Sequence, residues 1–245
     1  MDKYKNEFLR VEKKYILSQA ECEAVLDALS THMTEEQYGE YTISNIYYDT
    51  PDFRLIRASI EKPLYKEKLR LRAYGTVTES SEAFIEIKKK FKGVVYKRRA
   101  ELPLENARAF LNGKNRQPSS EQVLRETDWM LNLYGLAPAA AISYDRAAFV
   151  GKDDPEFRLT IDKNLKGRTT SLDLITGAVG DEIISPDKRV MEIKTAGGMP
   201  LWMCRLLTDL SLYPTSFSKY GEYYKSYIIN SEIPYLIQKE MVKSA

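Results

Sequence analysis

Apolar and polar residues alternate along most of this chain, and the alternation predicts strands more often than helices. Residues 7–17, EFLRVEKKYIL, alternate as a strand does. SQAECEAVLDALS follows, with Ser18 and Glu21 spaced as a capping box and Val25, Leu26 and Leu29 forming a helix stripe. Residues 41–50 are β-branched and aromatic, which predicts a strand, and Asp49-Thr50-Pro51-Asp52 ends it and starts a short helix with Phe53, Leu55 and Ile56. Strands are then predicted over 64–74, 82–91 and 93–102, the last two forming a hairpin near Gly93. Helices are expected over 103–113 and 119–134. AAAISYDRAAFVG and EFRLTIDKNL predict two more strands, and TSLDLI and RVMEIKTA are strand candidates around the turn-like TGAVGDE. MPLWMCRLLTDLSL is an amphipathic helix with Pro200 near its first turn, and a last helix begins at SKYGEYY. Many strands with helices between them predict a single α+β domain over residues 1–245, built on a largely antiparallel sheet or barrel, with residues 230–245 as a polar tail.

The polar positions of these strands are mostly long and cationic. In EKLRLRAYG, Lys68, Arg70 and Arg72 share one face and Leu69 and Leu71 the other. Arg10, Glu12 and Lys14 share a face, as do Glu86, Lys88 and Lys90, opposite Ile85 and Ile87. Lys97, Arg99 and Glu101 align, Tyr144 pairs with Arg146, Arg158 aligns with Thr160 and Asp162, and Glu192 pairs with Lys194. Any one of these strands also fits a half-buried sheet with one wet face. The repetition, and the scarcity of Ser, Thr and Gln on these faces, favours a closed barrel with aliphatic residues outward under helices and a charged interior. Unpaired cations packed inside such a barrel cost several kcal/mol each. A chain of phosphates is the natural filling, held by Arg forks and Lys point charges, and a few carboxylates suit a divalent metal bridging the phosphates.

Bulk composition narrows the chemistry. Of 245 residues 43% are hydrophobic, enough for a buried core, while the formal net charge is only +2, so functional charge has to come from local segregation. With one His, a His-based triad or His-rich metal site is not expected, and chemistry rests on carboxylates, lysines, arginines or tyrosines. His32 is expected at the surface, and the tyrosines at 47 and 48 and in GEYYKSY in the core. Cys22 and Cys204 have no metal-type spacing and are expected to be reduced, buried thiols of a cytoplasmic protein. No apolar stretch approaches the ~20 residues of a membrane span, and the N-terminus carries no signal-like run.

RVEKKYIL, NIYYDT, KLRLRAYG, EIKKK…YKRR, SYDRAAF, RLTIDKNL, VMEIKT and SFSKYGEYY together resemble, in that order, the catalytic domain of the vacuolar transporter chaperone (VTC) family. That family is the polyphosphate polymerase branch of the triphosphate tunnel metalloenzymes, and the resemblance covers roughly residues 5 to 228. It implies that Lys14, Arg70, Arg72, Lys88, Lys97, Arg99, Arg146 and Arg158 line a tunnel and bind phosphate oxygens. It implies a divalent metal, Mn2+ or Mg2+, on Glu192 with Lys194 beside it, and closure of the phosphate site by Ser218 and Lys219. The related CYTH hydrolases and cyclases begin with Glu-x-Glu-x-Lys, whereas this chain has Arg10-x-Glu12-x-Lys14, which favours the polymerase branch. Ser216 stands where eukaryotic members tend to carry a basic residue. The SPX domain and transmembrane segments of the eukaryotic complexes have no counterpart here, so a free-standing, bacterial version is expected.

The expected activity is transfer of the γ-phosphate of ATP, or another triphosphate, to a growing polyphosphate chain, with pyrophosphate or orthophosphate as smaller ligands. A metal-dependent triphosphatase using Glu12 or Glu86 to orient water, and a non-catalytic polyphosphate binder, remain open alternatives. Glu12 and Glu86 equally suit a neutralising role, Asp145 and Asp162 a role as arginine partners, and Arg10, Lys68 and Lys90 a place at the tunnel mouth or in ion pairs. Nucleic acid is not expected as a partner, because the basic strands do not interleave aromatics for stacking. A membrane partner is left open.

Overall fold

The computed structural model describes residues 11–92, 94–114 and 121–230. The fold is mixed α+β, with antiparallel strands as its frame. In chain order the elements are β1 (Val11–Leu17), α1 (Gln19–His32), β2 (Met33–Glu35), β3 (Tyr41–Asp49), α2 (Arg54–Ile60), β4 (Tyr65–Tyr74), β5 (Glu82–Phe91) and β6 (Val94–Pro103). They continue with α3 (Leu104–Leu111), α4 (Gln122–Tyr134), β7 (Ala137–Gly151), β8 (Arg158–Arg168), β9 (Asp181–Glu182), β10 (Arg189–Thr195), α5 (Leu201–Asp209) and α6 (Lys219–Tyr223), which runs into a π-helical turn, Tyr224–Ile228. The residues gather into two compact units. The first takes the described parts of Met1–Thr42, Tyr144–Leu165 and Ile184–Phe217, and the second those of Ile43–Ser143, Lys166–Ile183 and Ser218–Ala245.

In the first unit β10 pairs antiparallel with both β1 and β8. Tyr15 and Leu17 of β1, Leu159 and Ile161 of β8, and Met191 and Ile193 of β10 point to one face, as the alternation predicts. That face packs against Cys22, Val25 and Leu29 of α1 and Met203 and Leu207 of α5. Helix α1 starts where the capping box places it. Ser18 Oγ accepts from the Glu21 amide at 3.3 Å, and the Glu21 carboxylate accepts from the Ser18 amide at 2.6 Å.

In the second unit β3, β4, β5 and β6 pair in sequence, each antiparallel to the next. Leu69, Leu71, Ile85, Ile87 and Ala100 turn to one side and are covered by α3 and α4 through Leu104, Phe110, Met130 and Leu131. Gly135, at φ 63°, ends α4 in the left-handed conformation that a helix stop of this kind requires. Asp49 closes β3 and organises α2, its carboxylate accepting from the amides of Leu55 at 2.8 Å and Ile56 at 3.0 Å.

Several expectations are corrected. TSLDLI forms no strand, because Arg168, nearly buried, draws the carbonyls of Ser171, Asp173, Gly177 and Val179 around its guanidinium and turns that segment into a wrapped loop. The two-residue β9 follows, pairing with β8, and the three-residue β2 pairs with β7; both are too short to leave a periodic signal. Leu26 is 38% exposed, and Cys22 takes its place in the α1 stripe. Cys204 is exposed, not buried. His32 is half-buried and stacks on Trp202, with centroids 4.3 Å apart. Arg10, Gly93 and the tail beyond residue 230 lie outside the described residues. Among the described residues no helix is long and apolar enough to cross a membrane.

Candidate active site

The second unit carries most of the cationic residues singled out in the sequence, and strand register sorts them into rows. Tyr47 stands opposite Arg70, Arg70 opposite Glu86, and Glu86 opposite Arg99. The next row holds Asn45, Arg72, Phe84 and Glu101, and the row on the other side holds Lys68, Lys88 and Lys97. All three rows occupy the face opposite the aliphatic core. Like charges directly opposite one another in a sheet are destabilising, and in the lysine row Lys97 meets the Glu86 carboxylate at 2.7 Å while Lys68 donates to Ser218.

Glu86 is the counterion of this face. Its carboxylate accepts from Arg70 Nε at 2.7 Å, meets Lys97 Nζ at 2.7 Å and lies 3.7 Å from Arg72 Nε. It is 2% exposed, and burial alone would raise its pKa. Arg70, Arg72 and Lys97 outweigh burial and hold it at about 2. Lys97 is shifted below the ordinary lysine range by desolvation against this face, which Glu86 only partly offsets, although its side chain is 45% exposed. Arg72 is buried and its Nε donates to Asn45 Oδ1 at 2.8 Å; the Asn45 amide donates in turn to the Ile142 carbonyl. Arg99 and Lys88 are exposed members of the rows.

Tyr47 lies in the core, as the sequence places it, and also reaches the charged face. It is buried, but its hydroxyl accepts from Arg70 at 3.2 Å, and its ring stacks on Tyr220 with centroids 4.7 Å apart. Burial raises its pKa, yet Arg70, Lys68 and Arg72 together bring it down to about 8. The Tyr220 hydroxyl donates to Asp49 at 3.1 Å, so the stack is tied to the start of α2. The signal in the sequence was the spacing in NIYYDT: Tyr47 shares a strand face with Asn45, and only register with Arg70 shows what that face meets. Ser218 receives a hydrogen bond from Lys68 Nζ at 3.1 Å and caps α6 through the Gly221 amide at 3.3 Å. Lys219, half-buried, is the first residue of α6.

Aromatic rings also accompany the arginines, which corrects the expectation that the basic strands lack them. Arg99 lies over Phe84 at 4.9 Å from the ring centroid, and Arg72 over Tyr74 at 5.8 Å.

The first unit carries a second charged face. Lys14 stands opposite Glu192, and Glu192 opposite Thr160; Glu12, Lys194 and Arg158 form the adjacent row. Glu192 accepts from Lys194 Nζ at 3.0 Å, with Lys14 Nζ at 3.8 Å. Burial opposes its charge, but Lys194, Lys14 and Arg146 hold its pKa at about 2. Lys14 Nζ also donates to the Phe217 carbonyl at 3.0 Å. Arg146 grips Asp162 through Nε at 2.6 Å and Nη2 at 2.8 Å, and lies over Tyr144 at 5.2 Å from the ring centroid. Asp162 is thus an arginine partner as expected, whereas Asp145 accepts from Thr42 and Asn164 instead. Arg158 is exposed, and its Nε donates to the Pro155 carbonyl.

Among the described residues no three Asp, Glu, His or Cys side chains gather into a metal-binding cluster. A divalent ion on Glu192 would therefore complete its shell with phosphate oxygens and water, a donor set that suits Mg2+ and ions like it.

The profile of the VTC domain family matches residues 9–228. No curated protein matches the sequence. Among solved structures, a candidate adenylyl cyclase from Hippeastrum, described as having a dominant triphosphatase activity, aligns with TM-score 0.53 at 15% identity, over 89% of this chain and 96% of that one; the two share a fold. A candidate adenylate cyclase from Vibrio parahaemolyticus aligns with TM-score 0.47 at 14% identity, over 89% of this chain and 98% of that one. A protein from Pyrococcus horikoshii aligns with TM-score 0.46 at 14% identity, over 87% of this chain and 96% of that one.

Proposed function

The chain belongs to the VTC domain family, and on that premise we propose that it is a polyphosphate polymerase. A terminal oxygen of the growing polyphosphate attacks the γ-phosphorus of a nucleoside triphosphate. The bond from that phosphorus to the β,γ-bridging oxygen breaks, and the nucleoside diphosphate leaves. Arg70, Arg72, Lys88, Lys97 and Arg99 of the second unit, and Lys14, Arg146, Arg158 and Lys194 of the first, are the proposed phosphate ligands. Ser218 and Lys219 contribute from the start of α6. Catalysis is positioning and charge stabilisation, with no covalent intermediate on the protein. A divalent ion held by Glu192 would offset charge on the phosphate oxygens.

The observation that carries this reading is the state of Glu86. A hydrolase needs a group to orient and deprotonate water; Glu12, opposite Lys194 in the first unit, and Glu86 are the two candidates, and Glu86 is the buried one. With a pKa near 2, one oxygen hydrogen-bonded by Arg70 and the other 2.7 Å from the Lys97 ammonium, it is a poor base. A phosphate acceptor is already anionic and needs no base. The rival reading, a triphosphatase with water as acceptor, draws on the activity described for the Hippeastrum protein.

Incubation with ATP and manganese separates the readings. The polymerase makes acid-labile polymer ladders on a gel, and a pyrophosphate primer shortens the lag. Stoichiometric orthophosphate without ladders establishes the hydrolase. If neither product forms with any divalent metal while tripolyphosphate still binds, the chain is a polyphosphate binder. Arg70→Ala and Arg72→Ala should each weaken tripolyphosphate binding about tenfold or more, the worth of one charged hydrogen bond.

A further inference from the structure

The cationic rows of the second unit do not stop at Lys68, Lys88 and Lys97. One step further along β4 and β5, Lys66 stands directly opposite Lys90. Two residues along a strand advance about 7 Å on the same face, so this pair lies about 14 Å from the row of Arg70 and Glu86. Glu86 serves the arginine rows and reaches Lys97 of the first lysine row, whereas the Lys66–Lys90 pair lies two rows from it. Burial lowers the Lys66 pKa first, and Lys90, Lys62 and Lys88 lower it further. The charged groups that weigh most on Lys66 are other lysines. Its ammonium is anchored by donating to the Ser59 carbonyl at 3.1 Å, near the end of α2, and Lys90 is exposed. The neighbouring carboxylate, Glu67, points to the opposite face, where the hydroxyls of Tyr65 and Tyr134 donate to it.

Cations in register across strands, repelling one another on a face that continues the arginine rows, are arranged for an anion with many evenly spaced charges. We infer that Lys66 and Lys90 extend the phosphate-binding face into a track for the part of a polyphosphate chain that lies beyond its first few phosphates. The inference rests on the proposed function and adds to it a dependence on chain length. Tripolyphosphate is used up on the arginine rows, whereas a longer polymer has phosphates left to meet the lysine pair.

The test compares tripolyphosphate with a long-chain polyphosphate of about sixty units on wild type, the double variant Lys66→Gln/Lys90→Gln and the charge-keeping variant Lys66→Arg/Lys90→Arg. Calorimetric titration at several salt concentrations supplies the affinities. The Gln variant should bind tripolyphosphate as wild type does, bind the long chain about tenfold more weakly, and show a shallower salt dependence for the long chain only, as expected when fewer counterions are released. The Arg variant should restore both. Relief of the lysine repulsion should leave the melting temperature unchanged or raised. Equal long-chain affinity in the Gln variant and wild type overturns the track while leaving the proposed function standing. Failure of wild type to bind either ligand overturns the proposed function and the track with it. An equal loss for tripolyphosphate and the long chain overturns the track, because the pair would then belong to the short-ligand site. A single-stranded oligonucleotide that binds as tightly as the long polyphosphate, with the same loss in the Gln variant, overturns the assignment to polyphosphate.

Discussion

Glu86 faces Arg70 across the β4–β5 pairing and accepts a hydrogen bond from its Nε at 2.7 Å, occupying the guanidinium that is proposed to hold phosphate. A buried carboxylate among three cations lets the ligand-free face fold without a bound anion, and it competes with one that arrives. Glu86→Gln removes that internal counterion. The ligand-free variant should melt at a lower temperature, because Arg70, Arg72 and Lys97 lose their partner. Tripolyphosphate should then raise its melting temperature by more than it raises that of wild type. Thermal-shift titrations of both proteins check this; a smaller shift in the variant would mean that Glu86 organises the site instead of competing in it.

The same carboxylate sets an acid limb. Its folded pKa, about 2, lies below the ordinary glutamate value of 4.5. The charged form is therefore favoured by folding, and its stabilisation is complete above about pH 4.5 and lost as pH falls through 2. A shift of this size is worth on the order of 3 kcal/mol. Urea unfolding between pH 6 and 3 should show wild type losing stability faster than Glu86→Gln.

Tyr47 supplies the opposite limb. Its phenol is brought down to about 8 against the pull of burial, by Arg70, Lys68 and Arg72. Above that pH a tyrosinate sits on Arg70 and competes with phosphate, so tripolyphosphate affinity should fall from pH 7.5 to 9. In Tyr47→Phe the fall should be much reduced. Affinity is the informative measurement. Ionised Tyr47 by itself stabilises the fold as pH rises from 8 to 10, but burial raises the pKa of Tyr48, Tyr65, Tyr134 and Tyr220, and their titration works against the fold at high pH. An unchanged pH profile in the Phe variant would make Tyr47 a packing residue only.

Much of this was legible in the sequence because alternation with period two fixes which side chains share a face, and β4, β5, β8 and β10 alternate cleanly. Lys68, Arg70 and Arg72 needed no structure to be placed together. Register is what the sequence lacked. The row that joins Tyr47 to Arg70, Glu86 and Arg99 draws on four strands, and no local pattern aligns them. The wrapped loop around Arg168 was hidden for a related reason: TSLDLI alternates like a strand, but its carbonyls serve a single guanidinium. Leu26 was misplaced because a helix stripe read from few positions leaves its edges undefined, and Cys204 because cysteine spacing says nothing of which helix face a thiol takes.

Glu192→Gln should separate binding from turnover. Lys194 and Lys14 flank the carboxylate, and the amide keeps its size while removing its charge. Tripolyphosphate binding without metal should be kept or improved, since two lysines are released toward the ligand. Metal-dependent product formation should fall by orders of magnitude. Equal rates at saturating manganese would reduce Glu192 to an ion-pair partner of the two lysines.

Among the described residues Arg146 and Asp162 make the most enclosed ion pair of the first unit, with side-chain exposures of 13% and 0%. Asp162 takes Nε and Nη2, so a phosphate reaching Arg146 has to use Nη1 or displace the carboxylate. Burial works against the arginine's charge, but Tyr144, Asp162 and Glu192 keep it firmly protonated. Removing one member of such a pair leaves a buried charge without its partner, at a cost of about 3–5 kcal/mol. Arg146→Ala should therefore destabilise the ligand-free protein by about that much, whereas Arg70→Ala, in a cluster where Glu86 keeps Lys97 and Arg72, should cost clearly less. Arg146→Lys retains the charge but not the planar two-point grip, and should fall between wild type and the alanine variant in stability. Asp162→Asn should leave Arg146 charged but unlatched, so tripolyphosphate binding weakens through lost orientation more than through lost charge. Urea unfolding of Arg146→Ala, Asp162→Asn and the double variant gives the coupling between the two residues. A coupling below about 0.5 kcal/mol, the scatter expected for independent sites, would show that the pair is not the latch its geometry describes.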